Sequence, residues 1–180
     1  MAAADQLAEK LDRLEQGTDE KAERIRKTFH RQSEAIDPDL TELARKQRIG
    51  ELHEQAERKL QAAREEHEAE LARLVESARR QAFGSAPSDG AKLVAWRDAA
   101  SRAAAIDNKQ DAERELRRVL GSGDTQMVRA LSRLAHERGW AGVAAIGVDR
   151  ELLNELFRLE QLTATRGRRN IKQRMFRWRL

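Results

Sequence analysis

Ile49–Ala82 reads IGELHEQAERKLQAAREEHEAELARLVESARRQA, and its spacing decides the fold. Apolar or small residues recur at Ile49, Leu52, Ala56, Leu60, Ala63, Leu71, Leu74, Ala78 and Ala82, in steps of three, four and four. His67 is the one polar occupant of the series. Eleven residues in three turns is about 3.67 per turn, slightly looser than an ideal α-helix. Such a seam runs nearly straight along a long helix, with a slight right-handed drift. A lone helix cannot bury it, so the pattern demands a partner helix. It points to an elongated interaction element rather than an enzyme core.

The flanking sequence extends this helix and gives it a neighbour. Residues 4–36 predict a first helix, with Leu7, Leu11, Leu14, Thr18 and Ile25 at heptad spacing and Lys21 a polar exception. Phe29 and Ile36 continue one position out of phase, and Gly17 weakens the helix locally. Asp37-Pro38-Asp39 interrupts: proline disfavours helical geometry at Asp37 and suits a first helical position, with Asp37 as cap. The second helix is then expected to run to Phe83, about 45 residues and roughly 65–70 Å. So short a junction permits an antiparallel hairpin or a bent continuous rod.

Gly84-Ser-Ala-Pro-Ser-Asp-Gly90 is a linker by composition. Beyond it come short helices with strong stop signals. One is expected over residues 92–106, with Leu93, Val94, Trp96, Ala99, Ala100 and Ala103. Asp107 with Gln110 resembles a capping box for a helix to Leu120, and Gly121-Ser-Gly123 ends it. Asp124 caps a helix to Gly139, and Trp140–Ile146 is a short apolar piece. Asp149 caps a last helix to about Thr165, closed by Gly167. The expected fold is all-α: a long, coiled-coil-like helical arm (1–83), a linker (84–90), a small helical bundle (91–165) and a basic amphipathic tail (166–180). Tight glycine turns suggest packing like that of helical repeats, but no period of about 34 residues is present.

Composition agrees. Of 180 residues, 37% are charged and 4% aromatic, with two prolines and no tyrosine, which belongs to long helices rather than an all-β core. The net charge is +4 and its excess lies at the C-terminus, where residues 151–180 hold eight basic and three acidic side chains. No cysteine is present, so disulfide and thiol chemistry are excluded, in keeping with a reducing compartment. Ala-Ala-Ala-Asp after Met1 is no secretory leader, and no apolar run approaches 18 residues, so neither secretion by signal peptide nor a membrane span is expected.

The chemistry-bearing residues favour binding over catalysis. His53 and Glu57 lie four apart and His67 and Glu70 three apart, so two facing copies could build a carboxylate–histidine site. Glutamate is so abundant that a solvated mixed-charge face accounts for both pairs. His67, on the seam itself, reads as a polar register-setting residue, with pH-sensitive assembly the sharper alternative. No nucleophile elbow, Walker loop or dinucleotide fingerprint occurs, and Gly121-Ser122-Gly123 follows a helix rather than a strand. No enzyme activity, metal or cofactor is expected. Trp96, Trp140 and Phe157 read as core aromatics. Pairs such as Glu9–Arg13, Glu20–Arg24, Glu54–Arg58 and Glu76–Arg80 keep the long helices solvated.

The tail carries Arg166, Arg168, Arg169, Lys172, Arg174, Arg177 and Arg179. Ile171, Met175 and Trp178 form one stripe at helical spacing, with Phe176 beside it. Three readings stay open: docking onto a protein with the large apolar residues as anchors, non-specific phosphate binding, and an anionic membrane surface. Phe and Trp favour docking, because a simple DNA-binding tail does not need them.

A resemblance adds to this. Asp39-Leu-Thr-Glu-Leu-Ala-Arg-Lys-Gln-Arg-Ile-Gly-Glu-Leu52 resembles the opening of a long helix in small virion-associated proteins of actinobacterial tailed phages. Trp96-Arg-Asp-Ala99, Gly123-Asp124, Leu131–Ala135 and Gly139-Trp140 are similar to a helical module in the same setting. The resemblance spans residues 39–140. It implies a role in head, neck or tail assembly, in the virion or in the host cytoplasm during assembly, and supplies no catalytic residue. It implies partners among copies of this chain or other virion proteins. Phage scaffolds share the outline of long helices with a basic coat-binding C-terminus. The ordered second domain departs from that outline, so a permanent virion component and a transient scaffold are both open. The other function class is a nucleic-acid-associated helical protein that grips phosphates through its tail.

Overall fold

In the computed structural model, residues 2–168 are described, with side chains as far as residue 164. Among them are seven α-helices and no strand: α1 (Ala3–Glu34), α2 (Glu42–Phe83), α3 (Gly90–Ala104), α4 (Lys109–Ser122), α5 (Thr125–Glu137), α6 (Ala141–Gly147) and α7 (Arg150–Arg168). The fold is all-α. None of these helices is long and apolar enough to cross a membrane. The chain divides into two compact units, Met1–Leu7 with Val75–Glu160, and Ala8–Leu74 with the described residues from Gln161 on. That division runs through α1, α2 and α7, not through the linker at 84–90.

In the unit built on Ala8–Leu74, α1 and α2 meet as an antiparallel pair. Thr18 bonds His67, Lys21 pairs with Glu66, and the Phe29 ring meets His53 edge-on at 6.1 Å. The junction is therefore a hairpin turn, not a bent rod. Asp37 caps no helix. Its carboxylate accepts from the Asp39 amide (2.9 Å) and turns the chain at Pro38. Thr41 opens α2 instead: its hydroxyl accepts from the Ala44 amide (3.3 Å) and its carbonyl from that of Arg45 (2.9 Å).

Burial along α2 follows the eleven-residue period. Leu52, Ala56, Leu60, Ala63, His67, Leu71, Ala78 and Ala82 are all buried. Two expected positions differ. Ile49 is exposed, because by the Phe29–His53 register it stands level with the last residues of α1. Val75, not Leu74, is the buried residue of the third repeat. The same period governs α1, where Leu7, Leu11, Leu14, Thr18, Ala22, Ile25, Phe29 and Ser33 are buried or half-buried, and Ile36 continues it just past the helix end. Heptad spacing is therefore corrected to an eleven-residue repeat. Ala22 replaces Lys21 on the stripe, Phe29 and Ile36 are in phase, and α1 passes through Gly17 unbroken.

In the other unit, α5 is the central element, packing against α3, α4 and α6, while α4 also packs on α6. Its apolar face buries Met127, Leu131 and Ala135. Leu116 and Val119 of α4, Val143 and Ala144 of α6, and Leu153, Leu156 and Leu159 of α7 complete the core. Asp89, Asn108, Asp124 and Asp149 hold the N-termini by accepting the amides of Lys92, Asp111, Met127 and Leu152. Asn108 takes the place expected for Asp107, one residue later. Gly123 ends α4 at φ +75°, a left-handed geometry suited to glycine. The aromatics differ from expectation: Trp96, Trp140 and Phe157 are only half-buried. Small and aliphatic residues fill the interior, and Trp140 lies at its rim with the Arg138 guanidinium 5.3 Å above the ring.

Candidate functional site

Three surfaces carry chemistry, one in the bundle and two on the hairpin. In the bundle, His136 Nε2 on α5 hydrogen-bonds the Glu160 carboxylate on α7 (2.9 Å), which is the acceptor. The same carboxylate is bound by Arg79 of α2 at 2.8 Å, and Arg79 also reaches Glu76 at 2.9 Å. Burial opposes the charge on Arg79. The hydrogen bonds and fields of Glu160 and Glu76 outweigh it and hold the guanidinium above its ordinary pKa. Phe83 and Phe157 lie against the imidazole, with ring centroids 5.2 and 4.6 Å away. This cluster ties the end of α2 to α5 and α7. Sequence reasoning missed it, although one signal was present: His136 stands on the buried face of α5 beside Leu131 and Ala135.

On the hairpin, the seam histidine is held rather than open. The Thr18 hydroxyl donates to the Leu14 carbonyl (2.8 Å), so its remaining role toward His67 Nδ1, also 2.8 Å away, is that of acceptor. Thr18→Val removes this hydrogen bond from the seam and is expected to cost about 1–2 kcal/mol. Thermal unfolding checks it: an unshifted transition would mean the pair carries no register information. Glu70 pairs with Arg73 rather than with His67, while His53 and Glu57 approach to 3.8 Å on an exposed face. Among the described residues no group of three His, Asp or Glu side chains is placed to hold a metal ion.

Two open features remain on the hairpin. At its turn, Leu40, Leu43 and Ile49 are exposed, Leu43 by 69%. Leu40 also lines a groove there, with Ile36, Ala44, Arg48 and Leu52. Along the flank, a second groove of about 390 Å³ runs between α1 and α2. Ile25, Phe29, Leu52 and Ala56 give it an apolar floor, and Lys21, Arg24 and Lys59 stand around it. Of the expected seam residues, Leu52 alone reaches these grooves. Leu60, His67 and Leu71 are closed off, and Leu74 is half-buried.

The expected tail contacts cannot be placed on this geometry. Arg169, Ile171, Lys172, Arg174, Met175, Phe176, Arg177, Trp178 and Arg179 lie outside the described residues. Arg166 and Arg168 lie in the last turn of α7, beyond the described side chains. The grooves and the His136 cluster must stand on their own residues, because comparison with protein-family models, curated proteins and solved structures finds no match for this chain.

Proposed function

We propose that this chain is a structural or assembly protein, a virion-associated or scaffold-like component of a tailed phage that docks onto a capsid, neck or tail lattice. One observation carries the reading. The apolar stripes of α1 and α2 are buried together, while Leu40, Leu43 and Ile49 stay exposed around the turn of the hairpin. A long helical hairpin with a covered seam and an apolar end is suited to reach a second protein and insert into it. The mixed-charge flanks, with pairs such as Lys46–Glu42 and Arg48–Glu51, keep the rest of the hairpin solvated. Because the seam is occupied within the chain, a foreign partner is favoured over self-association through it. Mass spectrometry of gradient-purified particles from a lysate of the producing host tests the reading. The chain should co-migrate with coat and tail proteins, and removal of residues 166–180 should release it. A chain found only in the particle-free fraction would overturn the proposal.

A second reading is favoured by one feature, the eight basic against three acidic residues in 151–180. It is a helical protein that binds nucleic acid without sequence preference. Its affinity for duplex DNA is expected to fall steeply with salt, with a log–log slope of about −6 if all seven tail cations meet phosphates. Binding that ignores salt, or no binding at low salt, removes this class.

A further inference from the structure

The flank groove differs from the tip in having a charge bias, and that bias selects an occupant. Its floor is Ile25 and Phe29 from α1 with Leu52 and Ala56 from α2. Every charged residue lining it is basic: Lys21, Arg24 and Lys59. Lys21 is paired with Glu66, but neither Arg24 nor Lys59 has a carboxylate partner among the described residues. Phe29 is half-exposed, with its ring flanked edge-on by His30 and His53. We propose that this groove is a docking site for an amphipathic helix of a partner protein whose apolar face is flanked by Asp and Glu.

Two antiparallel helices leave an open channel along their pair, and a third helix fills it by setting side chains at i, i+3/i+4 and i+7 between the two rows. The lining spans positions 21–32 of α1, about 16 Å or three helical turns. That length accommodates about three apolar anchors. Carboxylates beside those anchors meet Arg24 and Lys59, which pair with no carboxylate among the described residues. The apolar floor argues against nucleic acid, because phosphates gain nothing from Ile25, Phe29 and Leu52. The inference deepens the assembly reading, since it names the chemistry of one docking partner.

The test is selection from a displayed library of helical peptides, about 12–16 residues long, with charge and apolar spacing randomised, against the full-length chain. Acidic amphipathic sequences should be enriched. Their affinity, measured by fluorescence anisotropy, should fall at least about tenfold for Phe29→Ala and several-fold for Lys59→Glu. Lys59 is exposed, so its substitution leaves the fold intact, and circular dichroism verifies this. Basic or non-amphipathic sequences, no enrichment, or an affinity that neither substitution diminishes would overturn the proposal. So would a gain in the chain's mass on a sizing column that the acidic peptide fails to reverse, since a second copy would then be the occupant. Selection against the isolated chain does not depend on virion association, so this proposal and the assembly reading fail separately.

Discussion

Leu71→Asp is expected to lower the melting temperature by more than about 10 °C while leaving the molecular mass unchanged. Leu71 is 1% exposed, one turn beyond His67 on the buried face of α2. One turn back from Thr18, its partner helix presents Leu14. The substitution removes a buried aliphatic side chain and sets a carboxylate in its place, a combination that costs about 4 kcal/mol or more. The mass is as informative as the melt. If the seam joined two chains, the variant would dissociate and its melting would depend on protein concentration. An intramolecular seam predicts weakened folding at constant mass, read by circular dichroism and light scattering. Ile49→Asp is the matched control. It lies two repeats of eleven before Leu71, at the same position of the pattern, yet is exposed. It is expected to change stability by no more than about 0.5 kcal/mol. Equal effects at the two sites would refute the antiparallel register.

The contrast between Ile49 and Leu71 shows what periodicity can and cannot carry. The period reports which face of a helix is buried, and it placed Leu52, Leu60, His67 and Leu71 correctly on one face. It does not report where the partner helix ends, and that decides Ile49. Leu74 and Val75 are adjacent apolar residues, and the choice between them depends on what packs opposite. In α1 the small Ala22 was passed over for Lys21 because alanine is a weak hydrophobic signal, and this concealed the eleven-residue phase. Caps failed in the same local way. Asp107 and Asn108 are both good acceptors, and Asp37 and Thr41 both flank the turn, so composition leaves the choice to backbone geometry. The flank groove was out of reach for another reason. Ile25 and Phe29 lie some thirty residues from Leu52 and Ala56, and only the hairpin register puts them on one floor. His136, Glu160 and Arg79 likewise come from three helices, and nothing local pairs them.

Gly147→Ala is expected to cost about 2 kcal/mol, a fall of about 4–8 °C in melting temperature, although the change adds one methyl group. Gly147 ends α6 where that helix lies against α5 and α4. A Cβ there would overlap the Ser132 hydroxyl, with Val128 Cγ1 at 3.1 Å and Leu116 Cδ1 at 3.3 Å behind it. Leu116 is wholly buried, so the neighbours cannot yield without disturbing the core. Ser132 is itself wholly buried, and its hydroxyl has no hydrogen-bond partner among the described residues. Removing that hydroxyl therefore loses no bond and relieves a buried polar atom, so Ser132→Ala is expected to be neutral or stabilising by up to about 1 kcal/mol. The two substitutions must then be coupled. With the serine oxygen gone, the new methyl gains the room it lacked, and the double variant should recover at least half of the loss. Melting curves for the four proteins of the cycle decide it. Additive effects would place the strain on Val128 and Leu116 rather than on the serine. A stabilising Gly147→Ala would mean that α6 stands further from α5 than this geometry allows.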